Sequence, residues 1–224
     1  MAVKAVLFDL DNTLVDFMRF KRLCSEAAIR AMAEAGLVMG EEKAKKALFK
    51  MYNEYGIEDQ RIFEKFLKKV QGEVDYRVLA SGIAAYRKVK SSSLEPYPRV
   101  RETLVGLKTR GLILGIVSDA PRMQAWLRVA EMSLVEFFDF VIAWEDSGEL
   151  KPSKMPFEQA IRKLGMKPGE ILFVGDNPGR DILGAKRAGM KTALAKYGQI
   201  FRGKVKPDFV LKSPIGLLKV VDLA

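Results

Sequence analysis

Asp9, Asp11 and Thr13 stand at alternate positions directly after the apolar run Ala5–Phe8. One carboxylate can attack an electrophile, a second can exchange a proton, and several together can hold a hard cation. The same ending recurs twice. Leu112–Val117 runs into Ser118-Asp119, and Ile171–Val174 runs into Gly175-Asp176, with Asp181 five residues further on. Lys151 stands just before a helical stretch. Taken singly, each group has a plain structural use: Asp in a turn, Ser as a helix cap, an acid at a helix start, a solvated lysine. Short apolar runs that stop in a polar break read as buried strands feeding loops, and parallel strands bring their carboxyl ends to one edge of a sheet. If these strands are neighbours, Asp9, Asp11, Asp176 and Asp181 converge. Carboxylates so placed repel one another and raise each other's pKa. A divalent cation offsets this, and with oxygen ligands alone Mg²⁺ is the metal expected.

The positioning elements follow from periodicity. From Phe20 to Ala35, the residues Phe20, Leu23, Cys24, Ala27, Ala31 and Ala35 keep the spacing of one helical face. Helices are expected over Glu41–Tyr55, Asp59–Gln71 and Asp75–Lys90, punctuated by Gly56 and Gly72. Ser91–Pro98, rich in serine and proline, reads as a return linker. Beyond it strands and helices alternate to the end, which argues for a parallel sheet covered on both faces. The expected architecture is α/β, a doubly wound parallel sheet of Rossmann type built from residues 1–16 and 91–224. Residues 17–90 form an inserted helical bundle with its own core.

Composition removes whole classes of function. The 224 residues contain no histidine, which excludes Ser-His-Asp and Cys-His catalysis and leaves carboxylates as the acid–base groups. Cys24 is the lone cysteine, so no disulfide can form within the chain, as suits a reducing cytoplasm. No apolar run approaches a membrane span and no secretory pattern opens the chain, so a cytoplasmic protein is expected. The net charge of +10 comes from basic residues interspersed with acids, with few aromatics between them, so no nucleic-acid partner is expected. Gly179 and Gly184 have P-loop spacing, but Ala185-Lys186 follows instead of Gly-Lys-Ser/Thr.

Asp9-Leu-Asp-Asn-Thr13, Ser118, Lys151 and Gly175-Asp176-Asn-Pro-Gly-Arg-Asp181 together resemble the four ordered motifs of the haloacid dehalogenase-like hydrolase superfamily. The run Asp181–Met190 extends the likeness. The resemblance covers both ends of the chain, and the helical insert is similar to that superfamily's first class of cap. It implies that Asp9 attacks phosphorus to form an aspartyl-phosphate, and that Asp11 is the acid and then the base. It places Mg²⁺ on Asp9, the main-chain carbonyl of Asp11 and Asp176, with Asp181 near or acting through water. Thr13, Ser118 and the N–H of Asp119 are implied to bind the phosphoryl group, and Lys151 to neutralise it. An aspartate two residues after the nucleophile goes, in this superfamily, with phosphate-ester hydrolysis or phosphomutase work. Haloacid dehalogenases lack it, and sugar phosphomutases typically use a cap histidine, which is missing here.

The expected activity is therefore hydrolysis of a small phosphorylated metabolite, such as a triose or sugar phosphate, with glyceraldehyde 3-phosphate first in line. The alternatives are a 2-haloacid dehalogenase or a non-catalytic binding protein that keeps the fold. The insert carries 16 basic against 10 acidic side chains, a positive excess that favours anionic substrates. Arg19 and Arg22 are the insert residues expected to contact them.

Overall fold

The computed structural model describes residues 2–224. Along them, β1 (Ala5–Phe8) is followed by α1 (Phe17–Glu34), α2 (Glu41–Tyr55), α3 (Ile62–Gln71) and α4 (Tyr76–Ser93). Alternation then sets in with α5 (Val100–Thr109), β2 (Ile113–Val117), α6 (Arg122–Glu131), β3 (Phe140–Ile142), α7 (Trp144–Ser147), α8 (Met155–Leu164) and β4 (Ile171–Gly175). The chain closes with α9 (Leu183–Arg187), β5 (Lys191–Ala195), β6 (Phe209–Leu211) and α10 (Leu217–Leu223). Two compact units result. One is built from the chain up to Phe17 together with Glu95–Ala224, the other from Met18–Leu94.

In the α/β unit six parallel strands lie in the order β3-β2-β1-β4-β5-β6. Every residue of β1 and β4 is buried. Strands covered on both faces must be apolar throughout, which is why these runs do not alternate with polar residues. On one face Leu7 and Phe173 pack with Phe157 of α8 and Ala185 of α9. From β1 the chain builds outward to β2 and β3 on one side, then β4 to β6 extend the other. The carboxyl ends of β1 and β4 therefore flank the topological switch point, where a doubly wound sheet opens a crevice. Phe8 is in register with both Ile116 and Val174, so the loops after these three strands leave the sheet at one level.

Two glycines permit close approaches at that level. A Cβ on Gly175 would lie 2.4 Å from the Cβ of Asp181, and one on Gly198 would lie 1.6 Å from the main-chain oxygen of Asn12. Any side chain at either position would push apart the loops that carry the acidic groups.

The helical unit packs α1 to α4 around Ile29, Met32, Leu48, Met51, Phe66, Leu67 and Val78. Its buried face on α1 matches the sequence expectation only in part. Phe20 and Cys24 are buried and Ala35 packs on the core as expected, but Ala28, Ile29 and Met32 enter the core as well, whereas Leu23 is 40% exposed and Ala27 and Ala31 are half-buried. Two faces of α1 share helical spacing, and the one with the bulkier Ile29 and Met32 buries more apolar area. Asp59, expected to open α3, stays outside it and accepts the N–H of Arg61 at 2.8 Å. The stretch expected as a linker from Ser91 is helical as far as Ser93. The Ser91 and Ser92 hydroxyls donate to the Lys88 carbonyl at 3.0 and 3.2 Å, which lets serine complete the last turn of α4.

Candidate active site

Asp9 leaves β1 at the switch point and is 2% exposed. The Thr13 hydroxyl donates to its Oδ2 at 3.3 Å, and the Lys151 ammonium donates to its Oδ1. Lys151 itself is buried, donates to the Val117 carbonyl at 3.1 Å and pairs with Asp181 Oδ1 at 2.9 Å. One cation thus ties the ends of β1 and β2 to the loop after β4. Asp176 and Asp181 are both buried, and ligand oxygens of Asp9, Asp176 and Asp181 all lie within 4.8 Å of one another. Asp181 is set by reciprocal bracing. Its Oδ2 accepts the N–H of Asn177 at 2.9 Å, while the Asn177 side chain accepts from Gly179 and Arg180 at 3.0 and 3.2 Å across the wide turn Pro178–Ile182.

The electrostatics follow from that burial. Desolvation pushes the Asp9 carboxyl up to about 7, against the pull of Lys151 and with the help of Asp181. Asp176 is pushed up to about 8 by burial, then by Asp9 and Asp181. Burial works against the charge of Lys151, but Asp181 and Asp9 outweigh it and hold the ammonium above its ordinary range. The charge of Arg180 also pulls on Asp9 and Asp176, yet both carboxyls stay raised, and the buried Oδ1 of Asp176 has no hydrogen-bond partner among the described residues. An all-oxygen donor set with an orphaned buried oxygen fits a hard divalent cation.

The other residues singled out in the sequence take separate places. Asp11 is not in the carboxylate triad; its Oδ2 accepts from Arg128 Nη1 at 3.0 Å. Ser118 is buried, and its Oγ accepts the Ala120 N–H at 3.1 Å, so its hydroxyl proton can point elsewhere. Neither Ser118 nor Asp119 caps α6, whose N-cap position is Pro121. The Asp119 carboxylate accepts the main-chain N–H of Lys151 at 2.9 Å on one oxygen and pairs with Arg180 at 3.2 Å on the other. The Thr13 carbonyl accepts from the Tyr197 hydroxyl at 2.9 Å, and the Tyr197 ring meets Tyr97 edge-on at 5.1 Å. Arg19 and Arg22 are exposed on α1 in the helical unit.

Sequence reasoning passed over Arg128, Arg180, Tyr197 and Lys21. Arg128 left a readable signal, an arginine on the Ala125/Arg128/Val129 stripe that α6 buries. Lys21 is a buried lysine whose ammonium lies 4.6 and 5.3 Å from the ring centres of Tyr52 and Tyr86 and donates to the Tyr86 hydroxyl at 3.0 Å. Its neighbours come from helices far apart in sequence, so spacing could not find it.

Residues 6–195 match the profile of the family described as haloacid dehalogenase-like hydrolase. A glyceraldehyde 3-phosphate phosphatase of Methanothermobacter thermautotrophicus is 37% identical over 192 residues, 86% of this chain and 85% of that protein. A glyceraldehyde 3-phosphate phosphatase of Methanopyrus kandleri is 36% identical over 226 residues, 98% of this chain and 97% of its own length. Among solved structures, the HAD phosphatase from Thermococcus onnurineus superposes with a TM-score of 0.66 at 26% identity, covering 98% of each chain.

Proposed function

This chain belongs to the haloacid dehalogenase-like hydrolase family, and from that membership we propose that it is a Mg²⁺-dependent phosphatase of small phosphate monoesters, with glyceraldehyde 3-phosphate the first substrate to test. The observation that carries this reading is the buried Asp9 carboxylate, gripped by Lys151 and Thr13 and grouped with Asp176 and Asp181. Asp9 Oδ forms a bond to phosphorus while the ester P–O bond breaks, and Asp11 gives its proton to the departing alkoxide. Water then attacks the phosphorus of the aspartyl-phosphate and yields its proton to Asp11. Inorganic phosphate leaves and the Asp9 carboxylate is restored. Ser118 and the N–H of Asp119 hold phosphoryl oxygens, and Lys151 neutralises the charge shared by Asp9 and the phosphoryl group. Asp9, Asp176 and Asp181, with the Asp11 carbonyl, would hold Mg²⁺, which when bound supplies positive charge to the phosphoryl oxygens.

The two relatives described as glyceraldehyde 3-phosphate phosphatases support a triose phosphate as substrate. No described helix is long and apolar enough to cross a membrane, and the lone Cys24 suits a reducing cytoplasm. Phosphate release from p-nitrophenyl phosphate and from glyceraldehyde 3-phosphate, each with EDTA and with added Mg²⁺, tests the reading. Release is expected to stop with EDTA and return with Mg²⁺. Halide release from 2-haloacids that survives EDTA would replace the phosphatase reading with a dehalogenase one.

A further inference from the structure

We propose that Arg128 is a positioning residue for Asp11, holding that carboxylate at the angle from which it exchanges protons with the leaving group and with water. The inference rests on the acid–base role proposed for Asp11. Arg128 is 5% exposed on the buried face of α6, which it shares with Ala125 and Val129, so its charge is taken out of water at a cost that a partner must offset. Its Nη1 lies 3.0 Å from Asp11 Oδ2, and its guanidinium carbon lies 4.2 Å from the centre of the Phe17 ring.

Asp11 and Phe17 are the two ends of one tight turn. Asp11 bridges to Val15, the Asn12 N–H donates to the Val15 carbonyl at 2.7 Å, and the Phe17 N–H donates to the same carbonyl at 2.9 Å. Asn12 turns the chain with φ at 61°. One planar group therefore grips the turn at both ends, by a charge-assisted bond at Asp11 and by its face at Phe17.

The grip has a chemical consequence. A carboxylate at the mouth of a loop has two free torsions, and a proton transfer needs one of its oxygens at hydrogen-bond distance from the reacting atom. With Oδ2 committed to Arg128, both torsions are restrained and the carboxylate is held in one orientation toward the reacting atoms. Lysine could supply the charge but neither the fork nor the flat face.

A double-mutant cycle separates positioning from general support of the fold. Arg128→Met keeps the volume and loses the bond; Arg128→Lys keeps the charge. Asp11→Asn removes the carboxylate that Arg128 would hold. With p-nitrophenyl phosphate and saturating Mg²⁺, Arg128→Met is expected to lower kcat by about 30-fold or more while KM moves by less than about threefold. Arg128→Lys should recover only part of the loss. On the Asp11→Asn background, Arg128→Met should cost no more than about twofold further, because the group it positions is gone.

If Arg128→Met slows the Asp11→Asn enzyme as much as the wild type, Arg128 does not act through Asp11. If KM rises with kcat unchanged, it is a substrate contact and the proposal falls. Should Arg128→Met not fold, Arg128→Lys in both backgrounds carries the same comparison. Wild-type turnover by Asp11→Asn itself would instead remove the acid–base role of Asp11, and the proposal with it.

Discussion

The two units differ in where they keep their charge. The α/β unit buries Asp9, Asp176, Asp181, Lys151 and Arg128 around one edge of its sheet, whereas Lys21 is the one charged side chain buried among the described residues of Met18–Leu94. The remaining charge of the helical unit lies on its surface, in pairs such as Lys45–Glu42 and Lys69–Glu54. A buried carboxylate loses several kcal/mol of hydration, so a cluster of three is a stability cost that only chemistry repays. Surface pairs contribute little and can be exchanged freely. One unit is therefore built around a site it would be more stable without, and the other around an apolar core that asks for no such compromise.

Asp9→Asn tests this contrast most severely. It removes the attacking charge, and Mg²⁺-dependent turnover of p-nitrophenyl phosphate should fall by at least about 10³-fold. The same substitution relieves repulsion from Asp176 and Asp181, so the metal-free variant should melt no lower than the wild type at alkaline pH. Turnover within tenfold of wild type would take Asp9 out of the reaction. A clear fall in melting temperature would show that the carboxylate is there for the fold.

A matched pair of substitutions comes next in size. Lys151→Met leaves Asp9 and Asp181 without the buried ammonium they pair with, at a cost of about 3–5 kcal/mol in metal-free unfolding. Phe66→Ala, in the core of the helical unit, should cost about the same through the cavity it leaves. Turnover should separate them. Lys151→Met is expected to lower kcat about 10²-fold at a temperature where the protein is folded, while Phe66→Ala stays within about threefold of wild type. Equal losses of kcat would mean that activity simply follows stability, and the contrast between the units would collapse.

The same contrast explains what could be read from the sequence. The strands were legible because both their faces are buried, and their ends because a polar break after an apolar run has few other uses. The gathering of Asp9, Asp176 and Asp181 followed from the rule that parallel strands end on one edge, whereas Lys151, which ends no strand, was placed there by the family resemblance. Arg128 and Tyr197 each act on a turn more than a hundred residues away, so their partners were not legible; Arg128 left one local signal, an arginine on an apolar stripe, and Tyr197 left none. In the helical unit the four helices were readable from spacing. The buried face of α1 was legible at Phe20 and Cys24 but not at Ile29 and Met32, because two faces have helical period and only tertiary packing chooses between them.

Arg19 and Arg22, exposed on α1, are the residues of the helical unit that the sequence alone expects to contact substrate. Replacing both with alanine should raise KM for glyceraldehyde 3-phosphate by about five- to tenfold and leave p-nitrophenyl phosphate turnover within about twofold. A loss of kcat shared by both substrates would place these arginines in the chemistry itself.

The smallest effect, a few degrees of melting temperature, separates the units by pH. Burial raises the carboxyls of Asp9 and Asp176 to about 7 and about 8, so between their ordinary range and those values the metal-free folded state holds protons that the unfolded chain has lost. The stability linked to them is complete below the ordinary carboxyl range and is lost as pH rises through about 7–8. A cation that needs both carboxylates ionised must displace those protons, so the rise in melting temperature on adding MgCl₂ should be negligible near pH 5 and grow to several degrees near pH 8.5. The helical unit has the opposite sign. Hydrogen bonds from Lys45 and Lys69 lower the carboxyls of Glu42 and Glu54, so their contribution is present above the ordinary range and fades as pH falls through the lowered values. Asp176→Asn should therefore flatten the alkaline, metal-dependent limb of the profile, and Glu42→Gln with Glu54→Gln should touch only the acid limb. Scanning fluorimetry from below the ordinary carboxyl range up to pH 8.5, with and without MgCl₂, reads both limbs in one series. A magnesium increment that does not change between pH 5 and pH 8.5 would mean that the metal is not held by carboxyls of raised pKa, and the triad would lose its place as the metal site.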